Sequence, residues 1–169
     1  VGKSPSKLDI DRILSINETY MKSSDRKKIF ENFCDYTKKF KDPIDKEFLK
    51  KIEDNFLVFL NKAKTLENIY ENAKFIYSYK KIEFSDLISE NEKKIIQLFL
   101  QKIDKISDNN VEKIKAIIDE VIVEEKIKFK DFGQPIRIVL TGTKFAPSIT
   151  DIIQSLGIDE VKRRISLYL

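Results

Sequence analysis

Five arginines carry the most specific recognition chemistry in this chain. Arg12, Arg26, Arg137, Arg163 and Arg164 are the only guanidinium groups, and every other basic residue is lysine. A guanidinium fork can bond a base edge or a phosphate with two parallel N–H groups and can also stack, which a lysine ammonium cannot do. Arg137 lies in the apolar run between Gly133 and Gly142, whereas Arg163 and Arg164 follow Lys162 near the end of the chain. Groups for turnover are scarce. With no histidine and the single cysteine Cys34, the sequence builds no Ser-His-Asp or Cys-His pair, no His-ligated zinc site and no thiolate cage. Metal and covalent chemistry reduce to carboxylates and lysines. The close carboxylates Asp9/Asp11 and Glu124/Glu125 stand at spacings that point them apart on a helix. The residues therefore predict binding rather than catalysis.

The elements that must hold these groups are helical. Over 169 residues, 41% are hydrophobic and 36% charged, with only 4 Gly and 4 Pro, which disfavours disorder and turn-rich sandwiches. No apolar stretch approaches the ~18 residues of a membrane span and no signal-peptide pattern opens the chain. The lone Cys34 predicts a reducing, cytoplasmic setting. A formal charge of +4 is compatible with RNA binding without being diagnostic of it.

Hydrophobic spacing predicts a first helix from Asp9 or Asp11 with Ile13, Ile16, Asn17 and Tyr20 on one face, and a second after Ser24-Asp25 with Ile29, Phe30, Phe33, Tyr36 and Phe40. Pro43 breaks the run, and a third helix follows from Phe48 to Leu60. Thr65 caps a fourth that carries Leu66, Ile69, Tyr70, Ala73, Ile76 and Tyr77. The pattern lapses from Ser78 to Leu87, the expected boundary between two halves. Ser89 with Glu92 reads as a capping box, and Asp108 or Asn109 starts the next helix, through Ile122. Core packing is the expected role of every one of these stripes. Lys126, Lys128 and Lys130 alternate with Ile127 and Phe129 as a solvated basic edge. Ile136 to Thr141 has a strand's β-branched richness. Pro147 is placed at N1 of a short helix ended by Gly157, and Asp159 caps the last one.

The segment Gly133-Gln-Pro-Ile-Arg-Ile-Val-Leu-Thr-Gly142, followed by Pro147, Leu156-Gly157 and Lys162-Arg163-Arg164, resembles the C-terminal signature of the glutamyl-tRNA synthetase family, "QPLRVALTG…SP". Two further blocks match in order. Leu8-Asp-Ile-Asp-Arg-Ile-Leu-Ser-Ile-Asn17 is similar to the family's "FDLEKLLWLN", and Lys62-Ala-Lys-Thr-Leu-Glu67 to its "R-x-K-T-L-K-E". The resemblance spans the whole chain. It implies an all-α architecture with 1–24 as the end of the stem-contact region, 25–84 as a first anticodon-binding helical domain and 85–169 as a second. It also implies helix over Pro135 to Thr141, against propensity.

By the same resemblance the catalytic domain lies upstream, so this chain alone does not activate glutamate and holds no cofactor. ATP, and any magnesium with it, belongs to that domain. The implied partners are glutamate tRNA and the upstream domain of the same chain, with no membrane and a monomeric state. The family arginine matching Arg137 contacts an anticodon base, and the turn after it lines the pocket, which maps to Ala146, Pro147 and Ile149. Ala146 lacks the hydroxyl that many relatives carry there. Lys62, with Lys64 beside it, matches a position that is often an arginine selecting the third anticodon base. A lysine keeps the charge and loses the fork, which leaves acceptance of glutamine tRNA open. Arg163 and Arg164 are candidates for phosphate contact or for capping charge, and Asp9, Arg12 and Asn17 for domain docking. The alternative function is a helical protein–protein interaction domain of the same fold without RNA binding.

Overall fold

The computed structural model describes residues 9–82, 88–144 and 147–169. Among them the fold is all-α, in the order α1 (Ile10–Ser23), α2 (Arg26–Phe40), α3 (Lys46–Asp54), α4 (Phe56–Leu60), α5 (Leu66–Tyr77), α6 (Glu90–Ile103), α7 (Val111–Glu124), α8 (Phe129–Thr141), α9 (Ile149–Leu156) and α10 (Ile158–Ser166). The expected boundary at 84/85 and residue Ala146 lie outside the described residues, as does the start of the chain to Leu8.

Local chemistry sets most of the helix starts. The side chains of Asp9, Asp25, Thr65 and Asn110 each accept a hydrogen bond from a backbone N–H of the first turn, occupying donors that no intrahelical carbonyl can reach. Ser89 and Glu92 form the reciprocal capping box. Gly142 closes α8 at φ 76°, a left-handed geometry that penalises any Cβ. Several expected boundaries move. The single run from Phe48 to Leu60 is split at Asn55, whose backbone leaves the helical region at φ −114°, ψ 19° and whose side chain donates to the Lys51 carbonyl at 2.9 Å. Asn110, not Asp108 or Asn109, caps α7. Ser148 is the N-cap of α9, so Pro147 precedes the cap instead of occupying N1. Gly157 precedes α10 and Asp159 lies within its first turn.

The core runs continuously through the described elements, from Ile29 and Phe33 of α2 to Ile165 and Tyr168 at the C-terminal end. Helix α6 packs on α7, α8 and α10, while α5 packs on α2, α3 and α4. Contacts of α3 with α9 and of α5 with α8 join the two groups. Helix α8 buries more residues than any other described helix, with Phe132, Ile136, Val139 and Leu140 fully buried. Burial of those side chains overrides their strand propensity. Helix α1 departs from expectation. Only Met21 is buried, and the stripe assigned to the core stays open, with Ile13, Ile16 and Tyr20 about half exposed or more. Its tie to the rest includes Asn17, whose Nδ2 donates to the Lys64 carbonyl.

Candidate nucleic-acid interface

A groove of about 1050 Å³ opens between the α4–α5 corner and the segment joining α8 to α9. Leu57, Asn61 and Lys62 line one wall, and Thr143, Pro147 and Asp151 the other. Local hydrogen bonds hold both walls. Asn72, which lines the groove, donates from Nδ2 to the Phe59 carbonyl at 3.1 Å and ties α5 to α4. On the opposite wall Thr141 Oγ1 donates to the Arg137 carbonyl at 2.8 Å and accepts from the Thr143 N–H at 3.2 Å. Ser148 caps α9 and donates to Asp151 Oδ2 at 2.6 Å.

Two of the site residues expected from sequence meet here. Lys62 is exposed and has no ion-pair partner among the described residues. Pro147 faces it across the groove. Arg137 is attached to the same wall, because its Nε donates to the Pro147 carbonyl at 3.2 Å. It is half-buried and carries no salt bridge among the described residues, so the two terminal nitrogens of its fork stay available.

The remaining expected residues fall elsewhere. Ile149 is 1% exposed, and its side chain packs under Gly133, so it supports the wall from inside the core. Lys64 is exposed but off the groove, and its backbone N–H is held by Asn68 Oδ1 at 3.0 Å. Arg163 makes two 2.7 Å hydrogen bonds to the Glu160 carboxylate. Arg164 is a correction. It is 2% exposed, donates to the Leu140 carbonyl at 2.6 Å and to Glu160 Oε1 at 2.7 Å, and stacks 4.0 Å over the Tyr79 ring. Such a guanidinium cannot reach a phosphate; it fastens α10 to the end of α8. Bonds from both arginines, Arg163 first, hold Glu160 down to about 2 against the upward push of its own burial. Beside them Tyr79 donates to the Val139 carbonyl at 2.7 Å, and Tyr168 accepts from the Ile82 N–H at 2.9 Å. Burial raises the Tyr79 phenol first, followed by its bond to Tyr168.

Sequence reasoning missed Asn61, Asn72 and Asp151, which line the groove, and Gln134, which shares the open face of α8 with Arg137. Gln134 stands next to Pro135 in the motif that carries the resemblance. The asparagines carried no signal beyond their types. Among the described residues no cluster of three or more carboxylates or thiols could hold a metal, and no helix is long and apolar enough to cross a membrane.

The model of the anticodon binding domain family matches residues 28–169. The glutamate–tRNA ligase of Pelagibacter ubique is 42% identical over 98% of this chain, which spans 36% of that protein. The ligase of Wigglesworthia glossinidia brevipalpis is 34% identical over 93% of the chain and 34% of its own length. The chain therefore spans about a third of the length of these relatives. In structure it is similar to a glutamate tRNA ligase from Elizabethkingia meningosepticum in complex with its amino acid, with a TM-score of 0.76 at 20% identity, covering 99% of this chain and 33% of that one.

Proposed function

We propose that this chain, which belongs to the anticodon-binding domain family, reads the anticodon loop of glutamate tRNA as part of a cytoplasmic, monomeric glutamate–tRNA ligase. The observation that carries the proposal is the groove in which Lys62, without an ion-pair partner among the described residues, faces the Pro147 wall that Arg137 holds. Single-stranded loops are recognised by splayed bases whose edges and faces meet side chains, with cations on the backbone between them. The groove offers that combination. Lys62 supplies charge, Asn61 and Asn72 supply amides, and Leu57 and Pro147 supply apolar walls. Glutamate activation with ATP belongs to other parts of such a ligase, since this chain has no histidine and its carboxylates are dispersed.

Lys62 also bears on which tRNA is accepted. A lysine donates to one acceptor at a time and fixes no plane, so it discriminates bases at the third anticodon position less strictly than an arginine fork would. Titrating the chain with labelled stem-loops of the glutamate anticodon, the glutamine anticodon and a scrambled loop tests both parts. Binding of the first two within a few-fold, with the scrambled loop weaker, is the expected result. Equal binding of all three would overturn anticodon reading, and strong rejection of the glutamine loop would overturn the relaxed role of Lys62.

A further inference from the structure

Helix α8 has one open face. Eight of its thirteen residues are buried, which leaves Phe129, Lys130, Asp131, Gln134 and Arg137 in contact with solvent. At 100° per residue Phe129, Lys130, Gln134 and Arg137 fall within one stripe, and Gly133 lies under it. Phe129 is 53% exposed although its ring leans on the buried Phe132 at 6.5 Å between centroids. A Cβ built on Gly133 would lie 3.6 Å from Phe129 Cε1 and 3.8 Å from Arg137 Nη1. The ring edge and the guanidinium tip are thus no more than about 7.4 Å apart across a residue with no side chain. Lys126, Lys128 and Lys130 flank Phe129 in the sequence, all are exposed, and none has a carboxylate within salt-bridge distance among the described residues. The nearby Glu124 is already paired with Lys102 at 2.8 Å.

From this arrangement we infer that Phe129 is a stacking platform for a nucleotide of the RNA loop, next to the one that Arg137 reaches, with Lys126, Lys128 and Lys130 holding the flanking phosphates. The inference rests on the RNA-binding reading of the groove and extends that surface along α8. An exposed ring flanked in sequence by cations with no ion-pair partner among the described residues suits a base with its phosphates better than an apolar protein surface, which would leave the ammonium groups desolvated and unmatched. Stacking needs an aromatic face, and any base can supply the partner face. The site therefore adds affinity without adding sequence preference.

The test places 2-aminopurine at successive positions of the glutamate anticodon loop and titrates the wild-type chain, Phe129→Leu, Phe129→Tyr and Lys130→Ala. At one loop position the wild type quenches the fluorophore on binding. Phe129→Leu abolishes that quench and weakens binding roughly 5- to 100-fold with an unchanged salt slope, whereas Phe129→Tyr retains both. Lys130→Ala instead flattens the salt dependence. The ring is half exposed, so the leucine variant keeps its fold, and circular dichroism checks that. Wild-type binding that Phe129→Leu leaves unchanged would overturn this inference alone. Absence of wild-type binding would overturn the RNA-binding reading on which it stands.

Discussion

Arg163 and Arg164 are adjacent and chemically identical, and the structure gives them opposite consequences for stability. Replacing Arg164 by alanine removes a 2%-exposed side chain, its bond to the Leu140 carbonyl and its stack on Tyr79. The carbonyl left unsatisfied costs about 1–3 kcal/mol, and the desolvated cation–π contact contributes on the order of 2 kcal/mol. Glu160 retains the two bonds from Arg163, so no buried carboxylate is orphaned. The expected loss is about 3–5 kcal/mol, from the unsatisfied carbonyl and the lost cation–π contact together. At roughly 2–4 °C per kcal/mol for a chain of this size, that lowers Tm by about 10 °C. Arg163→Ala removes a 56%-exposed partner, and such surface pairs are worth about 0–1 kcal/mol. Urea unfolding of both variants beside the parent, compared at equal m-value, measures the difference directly. If Arg164→Ala cost no more than Arg163→Ala, the reading of Arg164 as the fastener between α8 and α10 would be refuted.

Other consequences are simpler to state. Glu160 is lowered from its ordinary value near 4.5 to about 2 by its bonds to Arg163 and Arg164; a depressed carboxylate stabilises the fold fully above the unfolded value and loses that contribution as pH falls through the folded one. The stability gap between the parent and Glu160→Gln should accordingly be constant above about pH 5 and close between about pH 4.5 and 2, in acid titrations of urea midpoints. Gly142→Ala forces a Cβ onto a residue at φ 76° and should cost about 1 kcal/mol or more by the same unfolding assay. Lys62→Ala should weaken loop binding and reduce the slope of log K against log salt by about 0.7, the increment for one phosphate contact on a single strand; an unchanged slope would remove Lys62 from the phosphate contacts.

Much of this fold was legible in the sequence because its helices announce their own ends. Thr65 and the Ser89–Glu92 pair cap where the spacing placed them. Helix α8 was legible only through resemblance, since Ile136, Ile138 and Val139 carry strand propensity and Pro135 sits inside the helix. What decides that segment is burial on several sides, a property of packing that residue type does not encode. Arg164 was misjudged for a related reason. Its type says surface, yet Ile158, Val161, Ile165 and Tyr168 are buried around the same helix face, and position outweighs type once the Leu140 carbonyl and the half-buried Glu160 carboxylate are there to receive the guanidinium. The α1 stripe fails in the other direction: its spacing is amphipathic, but no described element covers Ile13, Ile16 or Tyr20. At the groove, Lys62 and Pro147 came from motif matching, while Asn61, Asn72 and Asp151 emerged only when distant segments were brought together.

The most direct test of the central claim is the dissociation constant of the glutamate anticodon stem-loop for the chain and for Arg137→Ala, each at two salt concentrations. The four lysines assigned to the backbone, Lys62, Lys126, Lys128 and Lys130, correspond on a single strand to a slope of about −2.8, or roughly 50-fold weaker binding at 200 than at 50 mM salt. The account predicts that dependence for the parent chain. It also predicts a loss of about 1–3 kcal/mol of affinity in the variant if the fork reads a base edge. Binding that ignores salt and survives Arg137→Ala would contradict the account and leave the helical fold as a surface for proteins.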